Sequence, residues 1–410
     1  MDSSNPLRVT QLIPILLLMA MAHFLIDVML GIWPLYKTMV SLDIGLAGLI
    51  VGLGGFIGEG SQLLFGSFSD KGYRKLLIVL GLFISLAASF FTYTLNYTAL
   101  FGLYLLTCLG SGCFHPSAAS LVSSISSSRR GLFMTILAAG GSFGMASSQI
   151  IFAKTHSWFD GQTYLLAIPG IALGLLIAIY PYPRSVNQNA QAIGSHQVQL
   201  KDFIDFFRNR TLRVLYISQI ANQSLLWGMI FIMPDMLKTL GHEEWICHGG
   251  GHFCLIMGAT CMMIPGGYLA DLYSVRQIML IGGVISCVLY YFVLYSPWLH
   301  IGLSLSSLFL LGATLALMNP LALSLATRLE PYRTGAVSAF LMGLVWCISE
   351  PIGPGGVGLL STMFEENGPI KAMAILGGFF LIQIYATWCL PKGVLTNSSP
   401  SGLRQSLGDE

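Results

Sequence analysis

The sequence predicts an all-α membrane protein of twelve transmembrane helices in two pseudo-symmetric six-helix halves. Three observations predict it: the scarcity of charge, a series of twelve apolar runs, and the lopsided placement of the basic residues. Of 410 residues, 54% are hydrophobic and only 9% charged, with a mean hydropathy of +0.73. A soluble domain carries roughly 25% charged residues, and this chain could not clothe a water-facing surface with so few. A soluble enzyme, a nucleic-acid-binding protein and a disulfide-stapled secreted scaffold are therefore excluded. The eight cysteines fall mostly inside apolar runs, where they read as small buried hydrophobes.

A helix needs about 20 mostly apolar residues to cross the bilayer core. Runs that meet this need lie at 11–38, 44–68, 75–95, 98–122, 131–154, 163–181, 212–238, 248–270, 277–296, 300–326, 334–361 and 370–390. Met1–Thr10 offers no small-residue cleavage site before the first run, which reads as a retained helix and not a signal peptide. Most loops between runs are short. The exception is 182–211, where a polar Asn187–Gln199 stretch precedes an amphipathic Lys201–Arg210. It divides the chain into an N-terminal half (11–181), a linker (182–211), a C-terminal half (212–390) and a tail (391–410).

The basic residues test this count. With both termini cytoplasmic, only Lys37, Lys154, Lys238 and Lys371 of the 20 Lys and Arg residues fall outside. A wrong number of spans would have scrambled that asymmetry, which follows the positive-inside rule. The expected setting is a bacterial inner membrane.

The halves echo each other. Gly66-Ser-Phe-Ser-Asp70 recurs as Gly267-Tyr-Leu-Ala-Asp271, His115-Pro116 as Asn319-Pro320, Arg130-Gly131 as Thr334-Gly335, and Trp33-Pro34 as Met233-Pro234. The offsets stay close to 200 residues, so the repeats are parallel and imply a central cavity worked by rocking one half against the other.

Gly66–Asp70 followed by Lys71, Arg74 and Lys75 resembles the cytoplasmic loop signature of the major facilitator superfamily. A carboxylate at a helix end beside an Arg makes a conformational latch, here Asp70 with Arg74 and, in the repeat, Asp271 with Arg276. Within that superfamily the first half is similar to the fosmidomycin-resistance type of drug exporter. The similarity rests on His23-Phe24 with Asp27, Gly112-Cys-Phe114-His115-Pro116, Arg129-Arg130-Gly131 and Gly140-Gly141-Ser-Phe-Gly144. It covers about residues 20–150. Ser142 and Ser147-Ser148 stand where the family usually has an Asn and a Gly-Pro. Pro351-Ile-Gly353-Pro354 in the eleventh run is similar to the Gly-Pro motif that drug antiporters usually place in the fifth.

Ionisable groups inside a membrane are expensive and mark function. His23 and Asp27 share a helix face, Glu59 sits mid-helix with Gln62 three residues on, His115 precedes Pro116, and Glu350 precedes Pro351. These five are the proton-coupling candidates, since burial and a nearby His let a carboxylate exchange protons near neutrality. Interhelical hydrogen bonding is the competing explanation for each. Gln62, Gln219, Gln223, Trp227, Asn319 and Trp346 are the expected substrate contacts. Gln219, Gln223 and Trp227 form one stripe, and Asn319 is the repeat partner of His115. No Lys or Arg falls in mid-membrane, which disfavours a multiply charged anion.

His242, Cys247, His248, His252 and Cys254 bunch at one helix end, but their spacing matches no standard zinc pattern and reads as loop composition. No metal and no cofactor are expected. The resulting expectation is a proton-coupled, monomeric exporter of small amphipathic compounds working by alternating access. A proton symporter importing an organic acid or metabolite is the alternative. A non-transporting receptor would carry a sizeable soluble domain, and an intramembrane enzyme would need a nucleophile–base pair or a metal dyad.

Overall fold

The computed structural model describes residues 6–125, 129–181, 200–296 and 300–391, with the side chains of 6–12 and Leu200 left aside. The linker stretch 182–199 and the tail beyond 391 lie outside the described residues, as do Arg184, Lys392 and Arg404.

The described chain is helical throughout, with no strand among its described residues. In chain order the membrane helices are α1 (Pro6–Leu30, continuing as Trp33–Met39), α2 (Ile44–Phe68), α3 (Arg74–Ser85, tightening into a 3₁₀ segment Leu86–Tyr93), α4 (Tyr97–Ser123), α5 (Arg130–Trp158) and α6 (Thr163–Ile179). The second half follows with α7 (Arg210–Thr239), α8 (Ile246–Leu272), α9 (Val275–Tyr295), α10 (Ile301–Leu329), α11 (Thr334–Thr362) and α12 (Gly368–Trp388). Nine described helices are long and apolar enough to cross a membrane. One of them, the 50-residue Ile44–Tyr93, is α2 and α3 joined. The apolar α6 is shorter. The 30-residue α7 is long enough, but its amides and hydroxyls dilute its hydropathy. Twelve helices result.

Several starts are fixed by side-chain caps, which satisfy amide N–H groups that a helix leaves unpaired. Leu46 N–H donates to Asp43 at 2.7 Å, Ala99 N–H to Asn96 at 3.0 Å, and Thr211 N–H to Asn209 at 3.0 Å. Between α2 and α3 the chain turns at Gly72, whose φ of +99° suits a residue without a Cβ. Large apolar side chains such as Ile179 and Leu381 stand 78% and 75% exposed, as expected of a surface that faces lipid.

The short amphipathic helix Leu200–Arg208 packs onto the start of α11. Arg333 bonds Asp202 at 3.3 Å and lies over Phe206, while Phe203 stacks on Phe340.

The halves meet at the end away from the arginine-bearing loops. There α2 crosses α11 so closely that a Cβ on Gly48 would lie 2.7 Å from the Pro354 carbonyl, and one on Gly52 3.0 Å from Pro351 Cα. His252 of α8 contacts the Met145 carbonyl of α5 at 2.8 Å. At the basic end a Cβ added to Gly131, Gly267, Gly335 or Gly343 meets nothing within 4 Å. In this conformer the two halves are in close contact at the end away from the basic loops.

Candidate functional site

The crossing of α2 and α11 places two carboxylates in one cavity. Glu59 and Glu350 both line a space of ≈ 610 Å³, open mouth included, together with Tyr104, Trp227 and Phe231. No Lys or Arg belongs to that lining. Glu350 is buried, and its carboxyl packs against bare Gly55, where any Cβ would collide with it. Glu59 accepts a hydrogen bond from Gln62 Nε2 at 2.5 Å and lies within electrostatic reach of Glu350 and Asp27. The Trp227 indole N–H is buried at the wall with no partner. Buried polar groups normally have one, so this donor is free for a ligand.

A second cluster lies beside the wall. His23 and Asp27 are one turn apart on α1, with His23 Nε2 at 3.5 Å from the Asp27 carboxylate. His115 of α4 approaches both: its Nε2 is 2.9 Å from His23 Nε2 and 3.7 Å from Asp27 Oδ1. The far ring nitrogens are also engaged. His23 Nδ1 is 2.8 Å from the Leu137 carbonyl, and His115 Nδ1 is 2.9 Å from both the Ser111 carbonyl and its hydroxyl. Gly141 of α5 keeps this space open, since a Cβ there would lie 2.6 Å from Asp27 Oδ2. Ser111 belongs to the cavity lining as well, and so joins the cluster to the cavity.

The neutral residues of the second half divide. Trp227 lines the cavity, whereas Gln219 donates to the Met318 carbonyl at 2.9 Å and Gln223 to Asn319 Oδ1 at 2.6 Å. Each amide uses an N–H to bridge α7 to α10. Trp346 packs against the apolar cluster around Phe340 and Val345, away from the cavity lining. Sequence periodicity gives the face of a helix but not which neighbour fills it.

The expected latches also rearrange. Asp70 and Arg74 are 4.0 Å apart within the first half. Asp271 pairs with Arg328 at 2.7 Å, and not with Arg276, whose guanidinium donates to the Trp388 carbonyl and lies over its ring. The α9 turn after Ser274 points Arg276 toward α12, and the end of α10 brings Arg328 alongside. The His242–Cys254 group is dispersed: His248 faces Glu244 at 3.4 Å, while buried His252 turns to α5.

One pairing has no forerunner in the sequence reading. Lys37, expected at the outer rim, is 1% exposed and donates to Asp235 of α7, to Thr38 Oγ1 and onto the Phe231 ring. Thr38 also donates to Asp235 at 2.8 Å. This ion pair joins the halves at the closed end. The repeat of Trp33-Pro34 as Met233-Pro234 sets Asp235 opposite Leu35, two residues before Lys37, and that was its only signal.

A family model described as Major Facilitator Superfamily matches residues 12–354, while no curated protein matches the chain. Solved structures agree on the fold. An inward-facing, occupied bacterial homolog of the human lysosomal transporter Spinster superposes with TM-score 0.78 at 15% identity, over 97% of this chain and 100% of that one. Its unoccupied form gives 0.76 at 14% with the same coverage. The nucleoside transporter NupG gives 0.72 at 16%, over 92% of this chain and 99% of its own.

Proposed function

Given that the chain belongs to the Major Facilitator Superfamily and is a membrane transporter, not an enzyme, we propose that it exports small amphipathic organic cations in exchange for protons. The observation that carries this reading is the composition of the cavity: two carboxylates, three aromatic rings and no basic side chain. An unpaired carboxylate in a low-dielectric wall is costly. Glu59 and Glu350 therefore hold either protons or a cationic substrate, and the two compete. The rings of Tyr104, Trp227 and Phe231 suit the apolar body of such a compound and attract its charge. The Trp227 N–H offers a hydrogen bond.

Alternating access then exchanges two sets of contacts. Lys37–Asp235 and the α2–α11 crossing close one end and must part; Asp70 with Arg74, and Asp271 with Arg328, each brace their own half at the other. The export direction rests on the similarity of α1, α4 and α5 to fosmidomycin-resistance exporters. The basic-loop asymmetry supports cytoplasmic termini in a bacterial inner membrane, and the protein acts as a monomer.

The test is transport in proteoliposomes driven by a pH jump, with a panel of cationic, neutral and anionic compounds. Lipophilic cations should move against the proton gradient, and Glu350→Gln should abolish the coupling. Transport of anions alone, or full proton-driven transport by Glu350→Gln, would refute the reading.

A further inference from the structure

His23, Asp27 and His115 have more in common than proximity. Each offers one donor atom, and the three atoms lie within 4.8 Å of one another. Ligands held about 2.0–2.1 Å from a tetrahedral ion sit about 3.3–3.4 Å apart. The two Nε2 atoms are 2.9 Å apart, and each faces a different oxygen of the Asp27 carboxylate, His23 at 3.5 Å from Oδ2 and His115 at 3.7 Å from Oδ1, distances on either side of that edge.

The hydrogen bonds of the far ring nitrogens sharpen the case. A carbonyl only accepts, so the Leu137 carbonyl requires a proton on His23 Nδ1, and the Ser111 carbonyl requires one on His115 Nδ1. Both Nε2 atoms then present lone pairs to each other and to a carboxylate. Three electron-rich atoms within 4.8 Å of one another call for a cation. The neutral alternative has the Ser111 hydroxyl donate to His115 Nδ1 and His115 Nε2–H donate to His23. It leaves Asp27 Oδ1, a buried oxygen without a hydrogen-bond partner, unsatisfied. One proton between the imidazoles leaves it equally so. A metal ion engages all three donors at once, and an Nδ1–H bonded to a backbone carbonyl is the support that metal-binding histidines use.

We propose that His23, Asp27 and His115 form a three-ligand site for a divalent transition-metal ion. Two imidazoles and a carboxylate suit Zn²⁺ or Co²⁺ and not Mg²⁺ or Ca²⁺, which prefer all-oxygen shells. Three protein ligands leave a coordination position open. The ion fastens α1 to α4, while the Leu137 bond ties in α5. These three residues leave the set of proton carriers, and coupling falls to Glu59 and Glu350.

The test uses full-length protein purified in detergent and stripped of metal. Zn²⁺ titration by calorimetry should give one equivalent per chain, and Co²⁺ should give the visible absorption of a four-coordinate site. His115→Ala and the near-isosteric Asp27→Asn should each weaken Zn²⁺ binding about 100-fold or more, and His248→Ala should not. Thermal unfolding and gel filtration without metal report whether each variant folds; should His115→Ala fail, Asp27→Asn gives the same reading. Absence of Zn²⁺ binding, or binding lost only in His248→Ala, would overturn the proposal. The readout involves no transport, so a negative result here leaves the cavity reading standing, and the reverse also holds.

Discussion

His23 and His115 in the first half correspond by repeat to Gln223 and Asn319 in the second. Both pairs bridge equivalent helices: α1 to α4 through nitrogens 2.9 Å apart, α7 to α10 through an amide–amide hydrogen bond of 2.6 Å. Holding helices together thus explains a polar pair in either half, and titratable chemistry is not needed for it. What the first half adds is the third residue. Asp27 completes a donor set with its two histidines, whereas its repeat partner Trp227 turns into the cavity and leaves its indole N–H for a ligand. On our proposals, one architecture serves an ion on one side and the body of an amphipathic cation on the other.

The bridges inside each half also contrast with the Lys37–Asp235 ion pair between halves, which alternating access must break. Removing one partner of a buried pair strands the other charge and costs about 3–5 kcal/mol. Lys37→Met should therefore unseat the closed end, seen as a fall in thermal stability and new cysteine labelling near Asp235. The double variant Lys37→Met with Asp235→Leu should restore most of the stability. If Lys37→Met alone is silent, the pair does not hold the halves.

Next in size is Glu350→Gln. Proton-driven counterflow of a lipophilic cation should fall about tenfold or more, with downhill exchange retained. A proportional loss of both would place Glu350 in substrate binding alone.

The contrast between halves can also be erased deliberately. Converting Gln223→His, Asn319→His and Trp227→Asp together should create a second Zn²⁺ equivalent in calorimetry, weaker than the first for lack of the Gly141 clearance. No added binding would mean that backbone placement, and not donor chemistry, distinguishes the halves. The smallest effect is expected for Gln223→Leu with Asn319→Leu. An interhelical hydrogen bond in a membrane averages about 0.6 kcal/mol, so unfolding should shift only slightly. A loss of transport without loss of stability would instead give these amides a substrate role.

Much of this was legible in the sequence. The apolar runs and basic loops gave the helices, because bilayer thickness and charge cost act on composition directly. Glu59 and Glu350 stood out for the cost of charge and Trp227 for its place in a helical stripe, and the structure gathers them in one cavity. What stayed hidden depends on how helices cross. Gln219 and Trp346 occupy suitable positions on their helices but face other neighbours. Asp271 finds Arg328 instead of Arg276 because the partner comes from another helix, 57 residues on. Lys37 looked like a rim lysine until α7 supplied Asp235 from the opposite half. The cluster at His23 and Asp27 needed His115 from α4, 92 residues after His23, and its hydrogen bond to Ser111.

Proton release on substrate binding tests the central claim most directly. Unbuffered, detergent-purified protein with a pH-sensitive dye should release protons when a lipophilic cation is added, and the variant Glu59→Gln with Glu350→Gln should release none. Saturable cation binding with no proton release, or release undiminished in that double variant, would contradict competition at the two carboxylates.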